Sequence, residues 1–272
     1  RYILQMSMQL PTLTVVMPCL NEQENIATVA QETLGAFDRY GIDGELIIVN
    51  DGSNDRTAGI ARELEKRDRR IRIITHSSPQ GIGASFWDGV RTATGDYCTW
   101  IPGDNQNDPN DVLRYFYMTK DVDIIVPFFH NIDVRSISRR IISSLYRFIV
   151  NISFGTNLNY TNGTVIYNTA ILRDIELKSN GFFYQAEILI RLIRAGYLYA
   201  ETPNFLGSRN AGKTKALTLK SFKDVAKSYL RMVWEVHVMR RVNMLGDDLN
   251  PKSVSYKRIR ELAVKRSANQ RP

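Results

Sequence analysis

Apolar and polar positions alternate in blocks along the first half of the chain. Leu13–Pro18 (LTVVMP), Glu45–Asn50 (ELIIVN), Ile71–Thr75 (IRIIT), Asp96–Ile101 (DYCTWI) and Val122–Phe128 (VDIIVPF) are near-continuous apolar and β-branched runs. Such runs mark strands covered on both faces. Between them the spacing is helical. Ile26, Val29, Ala30, Leu34 and Phe37 predict a helix over Asn21–Asp38. Further helices are predicted over Thr57–Asp68 and from Gly81 to Thr92. Strands alternating with helices predict βαβ units and a mainly parallel sheet.

The second half changes character. Ser136–Phe154 predicts a helix with Ile141, Ile142, Leu145, Phe148, Ile149 and Ile152 on one side and Arg139, Arg140 and Arg147 nearby. Short strands are predicted at Thr164–Tyr167 and Tyr197–Thr202, around a helix over Tyr184–Ala195 that carries Gln185 and Glu187. Leu219–Val242 reads as a long helix, basic at several turns, and Asn243–Pro251 as a linker. The remainder reads as a short basic helix or disorder. The expected division is a catalytic domain over 1–215 and a basic helical extension over 216–272.

Composition adds little until charge is placed along the chain. With 272 residues, 43% hydrophobic and 24% charged, a full-sized core is available. No run of ~18 apolar residues exists, so no transmembrane helix is predicted. The opening RYILQMSMQL is too short and polar for a signal segment. A cytoplasmic location is expected, with Cys19 and Cys98 as two buried thiols. The net charge is +8, but Lys213–Pro272 holds 15 Lys/Arg and 5 Asp/Glu, or +10, leaving 8 − 10 = −2 for the rest. A basic tail points to an anionic membrane surface, or is simply a solvated helix face. No aromatic–basic interleaving is present, so no nucleic-acid partner is expected. The long C-terminal helix could mediate pairing into a homo-oligomer.

In parallel sheets ligands bind at the carboxyl ends of the strands. The polar clusters lie there: Asn21-Glu22 after the first strand, Asp51-Gly52-Ser53 after the second, Asp104-Asn105-Gln106-Asn107 after the fourth. Asp104 and Gln106, two residues apart, offer hard oxygen ligands suited to Mg²⁺ or Mn²⁺; the same residues could form an Asx-turn capping the helix that starts near Pro109. Asp51 could meet a ribose hydroxyl or a base N–H, or cap a helix. Gly81-x-Gly83 is a weak phosphate-loop signal. Arg209, Lys213 and Lys215 in the SRNAGKTK loop could clamp a diphosphate.

Taken in order, VVMPCLNE, IIVNDGSNDRT, GIGASFWDGVRTATGDY, IPGDNQNDP, GFFYQAEILIRLIRAGY and SRNAGKTK resemble the family-2 glycosyltransferases. Within them the chain resembles the dolichol-phosphate-mannose-synthase-like branch of polyprenyl-phosphate glycosyltransferases, over roughly Leu13 to Arg231. The resemblance implies an α/β GT-A fold and inverting transfer from a nucleoside-diphosphate sugar (UDP- or GDP-linked). It implies a donor site from Pro18, Leu20, Asn21, Glu22, Asn50, Asp51, Ser53, Gly81, Gly83 and Gln185, and a metal on Asp104 and Gln106. Arg209, with Lys213 or Lys215, would neutralise the departing diphosphate. Arg139, Arg140 and Ser143 would meet the acceptor's phosphate.

Departures from the family pattern sharpen the expectations. Pro102 replaces the first aspartate of Asp-x-Asp, and Asn50-Asp51 replaces Asp-Asp. Pro127-Phe128-Phe129 replaces Gly-Ser-Arg, removing one acceptor cation, with His130 following. Asn162-Gly163-Thr164 stands where the family has Gly-Phe-Arg. The leading expectation is transfer to a polyprenyl phosphate at the cytoplasmic membrane face, bound peripherally through the Ser136–Phe154 helix and the basic tail. That helix could equally pack on the sheet. The alternative is a soluble enzyme acting on a glycan hydroxyl in surface-polysaccharide assembly, with Glu187 as base or as the partner of Arg209. A pseudo-enzyme with a disabled metal site ranks third.

Overall fold

The computed structural model of the chain describes residues 10–131, 137–176, 178–179, 183–205, 219–239 and 249–269. Seven strands form one sheet: β1 (Leu13–Cys19), β2 (Gly44–Asn50), β3 (Ile71–Thr75), β4 (Tyr97–Trp100), β5 (Ile124–Phe129), β6 (Ile166–Asn168) and β7 (Tyr199–Asn204). Their order is β3-β2-β1-β4-β6-β5-β7. β1 to β4 pair in parallel, as do β5 and β7, while β6 runs antiparallel to both β4 and β5. The mainly parallel sheet predicted from the sequence is therefore present, with one reversed strand inserted. β1 is the switch point: the chain winds outward to β2 and β3, then returns to place β4 on the other side. Ligand crevices open at such reversals.

Side-chain alternation divides the sheet between two helical layers. Leu13, Val15, Met17 and Cys19 of β1 face a cluster with Ile26, Val29 and Phe37 of α1 (Ile26–Tyr40), Ala61 and Leu64 of α2 (Thr57–Arg67) and Leu113 of α4 (Pro109–Leu113). Val16 of β1, with Ile47 and Val49 of β2, faces Phe86 and Val90 of α3 (Ile82–Thr92), Ile171 of α6 (Thr169–Arg173) and Ile188 and Leu189 of α7 (Tyr184–Arg194). This is the two-residue period of a strand buried on both faces. α7 is covered on both sides. Its Ala186 and Ile190 meet a third cluster with Val150 and Phe154 of α5 (Ile137–Phe154) and Met232 of α8 (Leu219–Val233).

Three sequence expectations shift. α1 begins at Ile26, not Asn21, because the loop after β2 takes the backbone amides of residues 21–23: Asn21 N–H donates to Ser53 Oγ, Glu22 N–H to Thr57 Oγ1 and Gln23 N–H to Asp55. The long helix expected to reach Val242 ends at Val233 and passes into a π turn, Trp234–Val238. That turn points Glu235 inward while Trp234 and Val238 stay exposed. The expected linker over Asn243–Pro251 lies mostly outside the described residues. Beyond it the chain forms a sixteen-residue helix, α9 (Val254–Asn269), the helical rather than the disordered of the two expectations, and longer than expected. Asp123, fully buried below β5, accepts the Val254 and Ser255 amides and the Ser255 hydroxyl. α9 thus starts at the sheet edge opposite the carboxyl ends of the parallel strands.

Candidate active site

The loops after β1, β2 and β4 meet at one edge of the sheet. Those after β1 and β2 are interlocked: Asn21, at φ 60, accepts the Asn54 amide on its side chain, and Gln23 accepts the Arg56 amide. Asn50 is buried and accepts the Ser53 amide. Pro18, inside β1, gives its carbonyl to the Gly103 N–H. A Cβ on Gly103 would lie 2.5 Å from Cys19 Sγ, so only glycine lets the β4 loop approach β1 this closely. Pro18, Leu20, Asn21, Glu22, Asn50, Ser53 and Asp104 are therefore brought to one edge, as the sequence predicts.

Asp104 stands at the tip of this edge. Its carboxylate accepts the backbone and side-chain N–H groups of Gln106, the Asx-turn geometry anticipated for it. Helix α4, however, is capped by Asp108, not Asp104. Burial pushes the Cys19 thiol up well beyond its usual range, and the Glu22, Asp104 and Asp55 carboxylates push it the same way. Carboxylates thus concentrate around the end of β1. A diphosphate placed here would be repelled without a cation. Pro102 is buried and supplies no ligand. Among the described residues no three His, Cys, Asp or Glu side chains converge closely enough to hold a metal alone. Asp104 and Gln106 are adjacent and offer hard oxygen donors of the kind a divalent ion takes, and an ion held by these two would need water and substrate oxygens to complete its shell.

Asp51 departs from expectation. The carboxylate that was to meet a ribose or base is 4% exposed and already occupied. Its Oδ1 accepts the Gln80 N–H at 2.7 Å and faces His76 Nδ1 at 2.7 Å; its Oδ2 accepts the Gly81 N–H at 2.8 Å. Burial pushes this carboxyl up, but the Gln80 amide, His76 and the Gly81 amide outweigh it and hold it below the usual carboxylate range. Gly81, at φ 97, spends its N–H on Asp51 rather than on a phosphate, and Gly83 is buried inside α3. The phosphate-loop reading of Gly81-x-Gly83 is corrected accordingly.

Glu187 is also placed differently from a solvent-facing base. It is 1% exposed and sits between two guanidiniums: Oε1 accepts from Arg191 at 2.8 and 3.0 Å, and Oε2 from Arg231 at 3.3 Å. Arg191 continues to Glu235 at 2.6 Å, and Glu235 to Lys178 at 3.1 Å. This buried network ties α7 to α8. Gln185 is buried beside it, donating to Tyr184 Oη, while its Oε1 has no partner among the described residues. Tyr184 packs on Phe86 of α3 with ring centroids 6.0 Å apart. Arg209, Lys213 and Lys215 lie outside the described residues, as does the side chain of Arg139.

Helix α5 lines a separate cavity, where the sequence places the acceptor residues. Wound at 3.6 residues per turn, it has an inner and an outer face. The inner face changes along its length: near the C-terminal end Val150 and Phe154, two turns beyond Ser143 and Arg147, are buried against α7 and α8. Arg140, Ser143, Ser144 and Arg147 line a cavity of about 180 Å³, closed on the far side by Phe128, Phe129 and Tyr160. Ile137, Ile141, Ile142, Leu145, Phe148, Ile149 and Ile152 are exposed, from 41% to 72%. The sequence left open whether this apolar face packs on the sheet; it does not. Arg147, whose Nη1 donates to Asn159 O, was absent from the predicted acceptor residues. Its spacing of two helical turns from Arg140 was the available signal.

A family model described as Glycosyl transferase family 2 matches residues 14–176. Curated relatives include the dodecaprenyl-phosphate galacturonate synthase of Rhizobium johnstonii, 28% identical over 61% of this chain and 50% of that protein. Another is an undecaprenyl-phosphate 4-deoxy-4-formamido-L-arabinose transferase of Pectobacterium atrosepticum, 30% identical over 42% of this chain and 35% of that protein. The chain thus spans half or less of the length of these relatives. Among solved structures, glucosyl-3-phosphoglycerate synthase from Mycobacterium tuberculosis with phosphoglyceric acid aligns with a TM-score of 0.62 at 17% identity, over 81% of this chain and 80% of that one. The same enzyme with Mg²⁺ and uridine diphosphate aligns at 0.61. These likenesses show a shared GT-A-like fold.

Proposed function

Because the chain belongs to glycosyl transferase family 2, we propose that it moves a sugar, with inversion, from a nucleoside-diphosphate sugar to a polyprenyl phosphate. The observation that carries the acceptor assignment is α5: one face offers Arg140, Arg147 and Ser143 to a cavity, and the next leaves seven large apolar side chains exposed. An acceptor with an anionic head and a hydrocarbon tail matches both faces. The relatives named for dodecaprenyl and undecaprenyl phosphate point the same way.

In this reading the donor nucleotide lies along Pro18, Leu20, Asn21, Glu22, Asn50 and Ser53. Asp51 acts indirectly, by holding the loop beside it. Asp104 and Gln106 would hold Mg²⁺ or Mn²⁺, which supplies positive charge to the diphosphate leaving group. An acceptor phosphate oxygen attacks the anomeric carbon from the face opposite the diphosphate. The new C–O bond forms as the old one breaks, and its electron pair leaves with the nucleoside diphosphate. Arg209 with Lys213 or Lys215 would add cationic charge as the bond breaks. The nucleophile is already anionic, so no base is required. Glu187, buried between Arg191 and Arg231, offers little to a hydroxyl acceptor, which favours the phosphate over the glycan alternative. The apolar face of α5, with exposed Leu230, Trp234 and Val238 after it, would rest on a bilayer surface.

The test is transfer of labelled sugar from UDP- and GDP-sugars to undecaprenyl phosphate in vesicles, with Mn²⁺ and with chelator. Metal-dependent label in an acid-labile lipid product is expected. Label reaching only a soluble glycan would replace the acceptor assignment.

A further inference from the structure

His76 follows β3 and is 8% exposed, yet no role in the transfer above uses it. Its ring lies between two carboxylates from different elements. Nδ1 is 2.7 Å from Asp51 Oδ1 at the end of β2, and Nε2 is 3.1 Å from Asp88 Oδ2 on α3. Arg91, on α3, pairs with the other oxygen of Asp88 at 2.6 Å. Each ring nitrogen is within hydrogen-bond distance of a carboxylate oxygen, so the ring ties the two elements together.

What the ring holds in place is the 77–81 segment. Ser77, Ser78, Pro79 and Gln80 are all exposed. The segment rests on Gly52, at φ 71, where a Cβ would lie 2.6 Å from the Ser78 carbonyl carbon. Its other tether is Asp51, through the Gln80 and Gly81 amides. Asp51, His76 and Asp88 therefore form one chain joining the ends of β2 and β3 to α3. That chain flanks Asn50 and Ser53, two of the residues proposed for the nucleotide.

We infer that His76 is a positioning residue: by bridging Asp51 and Asp88 it locks the 77–81 segment against the nucleotide edge, so donor capture weakens when the bridge is cut. This rests on the proposed donor site. Without the ring Asp51 keeps the Gln80 and Gly81 amides, while α3 loses its tether to the end of β2.

The test titrates UDP-glucose and GDP-mannose calorimetrically, at one pH, into the parent, His76→Ala, Asp88→Ala and the double variant. For whichever donor binds, affinity is expected to fall about tenfold in His76→Ala, a typical size for coupling between sites. Asp88→Ala should weaken binding in the same direction, and the double variant should bind no more weakly than His76→Ala, because both cut one bridge. Asp88→Asn keeps an oxygen toward the ring and should bind as the parent does. Parent-like affinity in His76→Ala, or fully additive losses in the double variant, overturns the inference. Amide-exchange protection at residues 78–84 supplies a readout without nucleotide. Protection lost in His76→Ala but kept in Asp88→Asn supports the latch even where neither donor binds, and unchanged protection overturns it. Absence of any donor binding would instead sink the nucleotide reading.

Discussion

Arg191→Met probes the joint between α7 and α8. The substitution keeps most of the side-chain volume and deletes the charge that bridges Glu187 and Glu235. Their side chains are 1% and 7% exposed, and Arg191 is 16% exposed. Removing one partner of a buried ion pair costs about 3–5 kcal/mol, because the remaining charge stays desolvated. Here each carboxylate keeps a second cation, Arg231 at 3.3 Å and Lys178 at 3.1 Å, though both are about a third exposed. The expected loss is therefore near the lower end, about 3 kcal/mol. At roughly 2–4 °C per kcal/mol for a chain of this size, that lowers Tm by about 6–12 °C. Acid unfolding gives an independent sign. Burial pushes the Glu235 carboxyl up, but Arg191 and Lys178 outweigh it and hold it below its usual value. A depressed carboxyl stabilises the fold above its unfolded pKa, and that contribution is lost as pH falls through the folded value. Without Arg191 the folded value rises, so acid unfolding should begin at higher pH. Urea and pH titrations monitored by circular dichroism measure both effects. A loss under about 1 kcal/mol with an unchanged acid midpoint would refute the view that this network joins the two helices.

The remaining predictions concern the site itself. Asp104→Ala should abolish sugar transfer and the metal dependence of nucleotide binding while leaving Tm within a few degrees; near-normal turnover would remove the metal assignment. Gly103→Ala drives a methyl into Cys19 Sγ and should cost about 1–3 kcal/mol in urea unfolding, and adding Cys19→Ala should restore much of it. Arg147→Ala should raise KM for undecaprenyl phosphate about tenfold or more, the loss of one charge-assisted contact, with slow donor hydrolysis unchanged. Leu145→Glu with Phe148→Glu should reduce sedimentation with anionic vesicles without lowering Tm, because both side chains are already exposed; unchanged sedimentation would separate α5 from any bilayer role.

Much of the edge proposed for the donor was legible because its signals are local. Leu13–Cys19 and Gly44–Asn50 are buried strands whose apolar runs declare themselves, and the polar clusters come at fixed offsets after them. What the sequence hid are contacts across long separations. The Asp51–His76–Asp88 chain spans three elements, and nothing near His76 marks it. Glu187 looked like an accessible carboxylate because Arg231 lies 44 residues on, and Glu235 lies 44 beyond Arg191. The buried cap that Asp123 gives α9 joins residues 131 and 132 positions apart. The reach of α8 was misjudged for a different reason: helical spacing continues through Trp234–Val238, while the π turn there exists to bury Glu235, a tertiary demand.

The exposed face of α5 is what most separates the two acceptor readings. Burying a large aliphatic or aromatic side chain is worth about 1.5–3 kcal/mol, and α5 leaves seven of them in water although the helix already packs through Val150 and Phe154. A fold optimised for stability alone would place serines or lysines there. The polar residues of the same helix, Arg140, Ser143, Ser144 and Arg147, instead gather on the neighbouring face around a cavity. A glycan hydroxyl would need neither the guanidiniums nor the apolar stripe. A phosphate carried on a hydrocarbon chain would use both, with its head in the cavity and the stripe against the lipid. In the phosphate reading the cation expected after β5, where this chain has Pro127, Phe128 and Phe129, would come instead from Arg147 on α5.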